Sequence, residues 1–402
     1  MLDLAAASAV SYKSSTPLND KPGVNSIDAA ISATLWSLMK VFQLRIRNCE
    51  ALFLLTFLLV PQILLAQNLD PLEAVPGDLV GTDAISNGLS AQKIGLRNAH
   101  AMVFDDQRQR LVLFGGADEA RVLGDTWEWD GSRWKRVSVS GPGPRTFPVM
   151  AYDRLRRRVV LFGGNRVLFG RSAADNHYLN DTWEWDGKRW IQMNVPGPSP
   201  RSEAAIAFDA ARGRTVLFGG HTVTEKERHW LGDTWEWDGK TWLRKHVDGP
   251  SPRNSPAMAY DSIRKKVVLF GGRTSEGLSG ETWEWDGTSW VEVITGHVEG
   301  RFNSVMAYDE SRQVMIRFGG RFGGKGLGDT WQYDGLVWKR LTTNGPVPRN
   351  HTSMAYDPRG KRMLLFGGHD TENVFGDLWE WNGTSWRLLE DRETKKHLDT
   401  VH

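Results

Sequence analysis

Cysteine is almost absent from this 402-residue sequence: Cys49 is the only one. A single cysteine excludes an intrachain disulfide scaffold and a cysteine-rich zinc site. An excess of one charge sign is also missing, with 50 Lys+Arg against 48 Asp+Glu and a net charge of +2. That balance gives no global electrostatic reason to expect nucleic acid or an acidic membrane as a partner. Catalytic and phosphate-binding signatures are missing too: no Gly-x-Ser-x-Gly, no His-Glu-x-x-His and no phosphate loop. With 40% apolar and 24% charged residues, the composition is that of a globular chain rather than a disordered one. What the sequence has in excess is tryptophan, 19 residues, and glycine, 42.

A long apolar run is likewise lacking. The best candidate, residues 51–66, is 16 uncharged residues interrupted by Pro61. A membrane span needs about 20. Lys40, Arg45 and Arg47 precede the run and Ala66 ends it, which is the layout of a secretory signal. Cleavage after Ala66 is expected, with Met39 as the true start and residues 1–38 as an over-long extension; an uncleaved N-terminal anchor is the alternative. The expected location is secreted or periplasmic, with no stable membrane insertion after cleavage. Processing would remove Cys49 and leave a nearly neutral mature chain.

The dominant signal is an internal repeat. A Gly-Gly pair closes an apolar run at Gly115-Gly116, Gly163-Gly164, Gly219-Gly220, Gly271-Gly272, Gly319-Gly320 and Gly367-Gly368, with spacings of 48, 56, 52, 48 and 48 residues. Each unit reads R-x4-M-A-Y-D, a turn, V-V-L-F-G-G, a variable loop, D-T-W-E-W-D-G and a strand opening on Trp. Four short strands are predicted per unit, the last two joined by Asp-Gly or Asn-Gly hairpin turns such as Asp130-Gly131 and Asn382-Gly383. Pro-x-Pro links separate the units, because proline cannot continue a ladder. Four antiparallel strands repeated at about 50 residues is the pattern of a β-propeller blade.

The Gly-Gly pair after an apolar strand, the following aromatic and the tryptophan of the last strand resemble kelch repeats, as in the propeller of galactose oxidase. The resemblance implies an all-β, six-bladed kelch-type propeller over residues 97–390. Residues 1–66 are then the extension and signal, 67–96 a linker with a degenerate closing strand at 85–96, and 391–402 a charged tail. The Trp-x-Trp of strand three departs from the common pattern. Galactose oxidase chemistry needs a cysteine joined to a tyrosine, and the expected mature chain has no cysteine, so that activity is excluded.

Residues two apart in a strand share a face. Trp127 and Trp129, and their equivalents in each unit, therefore project together. With the strand-four tryptophans they account for 17 of the 19, assigned to blade packing. Trp36 lies in the leader, and Trp230 alone is a candidate for ligand contact. The same logic serves throughout: a residue present in every blade belongs to the blade, and a residue present in one is free for function.

Up-and-down topology puts the segments before strand one and after strand two on the same face. The length variation is there, in blades two and three, whose insertions carry Arg171, His177, Tyr178, His221, His229 and Trp230. Long loops on a rigid scaffold are where binding resides. Six arginines, Arg97, Arg145, Arg201, Arg253, Arg301 and Arg349, open the units on this face. Kelch proteins that bind acidic partners use arginines at the matching position, which implies a cationic rim. The alternative pairs each with the recurring acid Asp125, Asp181, Asp233, Glu281, Asp329 or Asp377. Glu203, His351 and His369 complete the candidate lining; no spacing resembles a metal motif. The expectation is a monomeric, non-catalytic exported module without cofactor or metal, binding a carbohydrate or an anionic protein segment. The alternative is an enzyme similar to the kelch-type sialic-acid mutarotases, with Glu203 as its acid or base.

Overall fold

The computed structural model describes residues 93–138, 140–167, 177–224, 227–391 and 395–396. The leader with Cys49, the proposed cleavage point, Arg171 and most of the tail lie outside these residues. Those described form no helix. Six sheets of four antiparallel strands follow one another along the chain. Blade one is Ala101–Asp105, Arg110–Phe114, Thr126–Trp129 and Trp134–Ser138; blade six is Ser353–Asp357, Arg362–Phe366, Leu378–Trp381 and Trp386–Glu390. The first strands of successive blades lie side by side, and that of blade six lies against that of blade one. The fold is a closed six-bladed β-propeller, as the repeat predicts.

Among the described residues, closure uses no borrowed strand. Between blades one and two, Arg145 N–H donates to Leu123 O at 3.0 Å and accepts Gly116 N–H on its carbonyl at 2.9 Å. Between blades six and one, Arg97 N–H donates to Phe375 O at 3.0 Å and Arg97 O accepts Gly368 N–H at 2.9 Å. The same pair of bonds therefore joins blade six to blade one and the interior blades to each other. Residues 93–96 of the expected closing strand form no strand.

Local sequence explains each turn. In the hairpins between strands three and four, Asp130 Oδ1 accepts the N–H groups of Ser132 at 2.8 Å and Arg133 at 2.9 Å, while Gly131 takes φ +102°. The Gly-Gly pair is required for a different reason. Gly220 has φ +94°, and a Cβ there would lie 2.7 Å from Ser202 O. The second glycine lets the segment before one strand pass directly over the end of the next.

The tryptophans pack between blades. Trp185, Trp237, Trp285 and Trp381 are fully buried, with Tyr333 in the equivalent place in blade five. Each such ring removes roughly 200 Å² from water, on the order of 5 kcal/mol gross. Two arginines of the basic turns at the far end are tied down by ion pairs. Arg156 bonds Asp153 Oδ2 at 2.6 Å and Glu184 Oε1 at 2.7 Å, and Arg264 bridges Asp261 and Glu284 in the same way. A guanidinium fork serves two largely buried carboxylates at once.

Candidate functional site: the loop-bearing mouth of the channel

The segments before strand one and after strand two share a face, joined by bridges such as Thr146 to Asn165 and Ser202 to His221. In blade two the insertion prolongs strands two and three to Arg158–Asn165 and Tyr178–Trp185; in blade three it forms a separate hairpin, His221–Thr224 with Glu227–Trp230.

At this end the chain adopts one unusual conformation six times. Ala99, Phe147, Glu203, Ser255, Asn303 and His351, each two residues past a recurring arginine, have φ between +52° and +58°. This is the left-handed region, uncommon for residues other than glycine. Backbone bonds link them around the channel: Ala99 N–H to His351 O at 2.9 Å, Phe147 N–H to Ala99 O at 2.8 Å, Ser255 N–H to Glu203 O at 2.7 Å and Asn303 N–H to Ser255 O at 3.1 Å. These six residues line a cavity of about 120 Å³ at the mouth, together with His100 and Ser304. The backbone is the same in every blade and the side chains all differ.

The six arginines do not form a free rim. Each is at most 2% exposed and faces the acid of its own blade. Arg145 Nη1 and Nη2 reach Asp181 Oδ1 and Oδ2 at 2.6 and 2.9 Å, and Nη1 also donates to Gly163 O at 3.0 Å. Burial works to raise the Asp181 carboxyl, but the Arg145 bonds and charge outweigh it and hold it below its usual range. Trp183 adds its indole N–H to Asp181 Oδ2 at 2.7 Å. The recurrence of arginine, acid and tryptophan is thus one interlocked unit, and the cation is neutralised inside it.

The single-blade residues divide. Tyr178 and His221 come together, Tyr178 Oη lying 3.1 Å from His221 Nε2 with the rings edge to face, and His221 Nδ1 stands 3.6 Å from Glu203 Oε2. Burial lowers the proton affinity of His221. Glu203 Oε2 also accepts from the Ser255 hydroxyl at 2.9 Å and from the Asn254 amide. His351 Nδ1 and His369 Nε2 are 2.7 Å apart, and burial lowers both imidazoles. Trp230 pairs across its hairpin with His221 and is half-buried, with no acceptor for its indole N–H among the described residues. His177 and His229 are exposed and join neither cluster. Among the described residues no group of acids, histidines or cysteines is arranged to hold a metal.

Sequence reasoning missed Phe147 and Ser255 as lining. The signal was available: the position two past each arginine holds a different residue in every unit. It also missed the far end of the channel. There Arg154 of blade two reaches Asp106 of blade one and Glu310 of blade five, each at 2.8 Å, across a cavity lined by the first strands.

Fold and repeat together define a kelch-repeat β-propeller. The family model that matches is the KLHDC2/KLHL20/DRC7 Kelch-repeats domain, over residues 87–243. The chain is 31% identical over 189 residues to the dynein alpha chain of the flagellar outer arm of Chlamydomonas reinhardtii, covering 41% of this chain and 4% of that one. It is 30% identical over 120 residues to dynein regulatory complex subunit 7 of the same organism, covering 28% of this chain and 10% of the relative. The chain therefore spans only a small part of the length of these relatives.

Proposed function

We propose that the protein is an exported, non-catalytic recognition module that takes a protein segment at the loop-bearing mouth of its channel. One observation carries this reading: six identical backbone positions ring the mouth and present six different side chains. A scaffold that repeats its backbone at the mouth and varies the side chains there is suited to selective recognition. With the six arginines neutralised within their blades, the anionic form of the ligand loses its cationic rim.

Carbohydrate is the second reading, favoured by Trp230. Its half-buried ring, beside the Tyr178 and His221 pair, offers a stacking surface. The mutarotase-like form of this reading rests on Glu203 and His221 as an acid and base pair 3.6 Å apart.

The test is to pan a peptide-display library and probe a glycan array with the purified propeller, then to re-measure each ligand on variants. Asn303→Ala and Tyr178→Ala should weaken binding about tenfold or more, whereas Leu155→Ser on the opposite face should not. Ligands that bind all variants alike would place recognition elsewhere. Anomer exchange of sialic acid followed by NMR, lost in Glu203→Gln, would favour the enzymatic alternative.

A further inference from the structure

The unopposed charge at the mouth has the sign opposite to the one its arginines suggest. Glu203 is a side chain only 11% exposed, and its carboxylate meets three groups: the Ser255 hydroxyl, the Asn254 amide and the His221 ring. The hydroxyl and the amide carry no charge, and burial disfavours the protonated form of the imidazole. His221 stands between the Tyr178 hydroxyl, 3.1 Å from Nε2, and Glu203, 3.6 Å from Nδ1. Among the described residues no lysine or arginine pairs with Glu203. Arg228, the basic residue that acts on Tyr178 and His221, lies exposed on the blade-three hairpin. This contrasts with the acids of strand three, each of which has its own guanidinium.

Position adds to charge. Glu203 is held in the left-handed conformation by the ring of backbone bonds, so its side chain is fixed at the mouth rather than free to swing into solvent. The cavity it lines, about 120 Å³, is well below the roughly 300 Å³ at which pockets begin to hold whole small-molecule ligands. It suits the end of one side chain. Phe147, on the same ring, supplies an aromatic wall, and Asn303 and Ser255 supply further acceptors.

We infer that Glu203 is the recognition point for a cationic side chain: a lysine or arginine of the protein segment bound at the mouth, its head group on Glu203 and its aliphatic stem along Phe147. The charge-assisted bond to a desolvated carboxylate would supply the selectivity. This rests on the reading of the mouth as the ligand site.

The experiment is isothermal titration calorimetry of the propeller with four acetylated octapeptides of one glycine-rich sequence, carrying two lysines, two arginines, two glutamates or two norleucines. The lysine and arginine peptides should bind about tenfold or more tightly than the other two. Glu203→Gln should abolish that preference, while Glu276→Gln, an exposed acid on the blade-four loop, should keep it. Equal affinity across the four peptides overturns the inference even if the Gln variant folds poorly. So does a preference that survives in Glu203→Gln. Panned ligands that depend on the mouth but carry no basic residue would sink this inference and leave the mouth reading standing; ligands indifferent to the mouth would remove both.

Discussion

Trp290 donates its indole N–H to the hydroxyl of Thr234, 2.9 Å away in the preceding blade. The same clasp joins Trp190 to Thr126, Trp242 to Thr182, Trp338 to Thr282 and Trp386 to Thr330, at 2.8 to 2.9 Å. It is missing where the ring closes. There Leu378 stands in the threonine position, packed in one cluster with Trp134, whose buried indole nitrogen has no acceptor among the described residues. Thr234→Val keeps the shape and removes the acceptor, leaving a buried donor unpaired. The expected cost is about 1–3 kcal/mol, read as a lower urea midpoint with unchanged slope. An unchanged midpoint would mean that the clasp adds nothing beyond packing.

The arginine and acid pairs are predicted to hold the fold rather than the ligand. Arg145→Met leaves Asp181 and the Gly163 carbonyl without their partner. Removing one member of a buried pair costs about 3–5 kcal/mol, so the melting temperature should fall. Adding Asp181→Asn should recover part of the loss. Normal melting with lost ligand binding would instead make Arg145 a ligand group.

Most of the fold was legible in the sequence because a propeller repeats its requirements. The Gly-Gly pairs, the Asp-Gly turns and the Trp-x-Trp strands each satisfy a local rule six times over, and local rules can be read from one chain. Both halves of the Arg145 and Asp181 pair were legible for the same reason, though recurrence alone left open whether they met. The clasp between Trp290 and Thr234 was not, since its partners lie in different repeats and meet only when blades stack. The cradle of Glu203 was hidden twice over: Asn254 and Ser255 come from the next blade, and the side chain's direction depends on a left-handed backbone that no local motif announces.

Arg317 breaks the blade pattern in a way that has a predictable cost. It is fully buried in strand two of blade five, where Leu113, Leu161, Leu217, Leu269 and Leu365 occupy the equivalent positions. Its three guanidinium nitrogens have no hydrogen-bond acceptor among the described residues, and the group lies 3.9 Å from the centre of the Phe270 ring and 4.8 Å from that of Trp338. Burial depresses its proton affinity far below the ordinary arginine range. Cation–π contacts return about 2 kcal/mol or so when desolvated, less than the several kcal/mol needed to desolvate the ion. Arg317→Leu is therefore expected to stabilise the propeller by about 1–4 kcal/mol, measured by guanidinium unfolding. A destabilised variant would show that the aromatic box compensates the charge in full.

Acid sensitivity should trace to His100. Its ring is buried against Phe366 at 5.6 Å, with no partner for either nitrogen among the described residues. Burial, helped by the charge of Arg97, pushes its pKa from 6.5 down to about 3. Between those two values the unfolded chain binds a proton that the folded chain refuses. Stability is therefore complete above the unfolded value and falls as the pH drops through this window, by up to about 1.4 kcal/mol per pH unit from this one group. His221, His351 and His369, also lowered by burial, act in the same direction. His100→Leu removes this contribution while preserving an apolar fit beside Phe366. Melting temperatures followed from pH 7.5 to pH 4 should decline less steeply in this variant than in the wild type. Parallel declines would move the acid sensitivity to the histidines of the mouth, where ligand binding could then be made to protect against it.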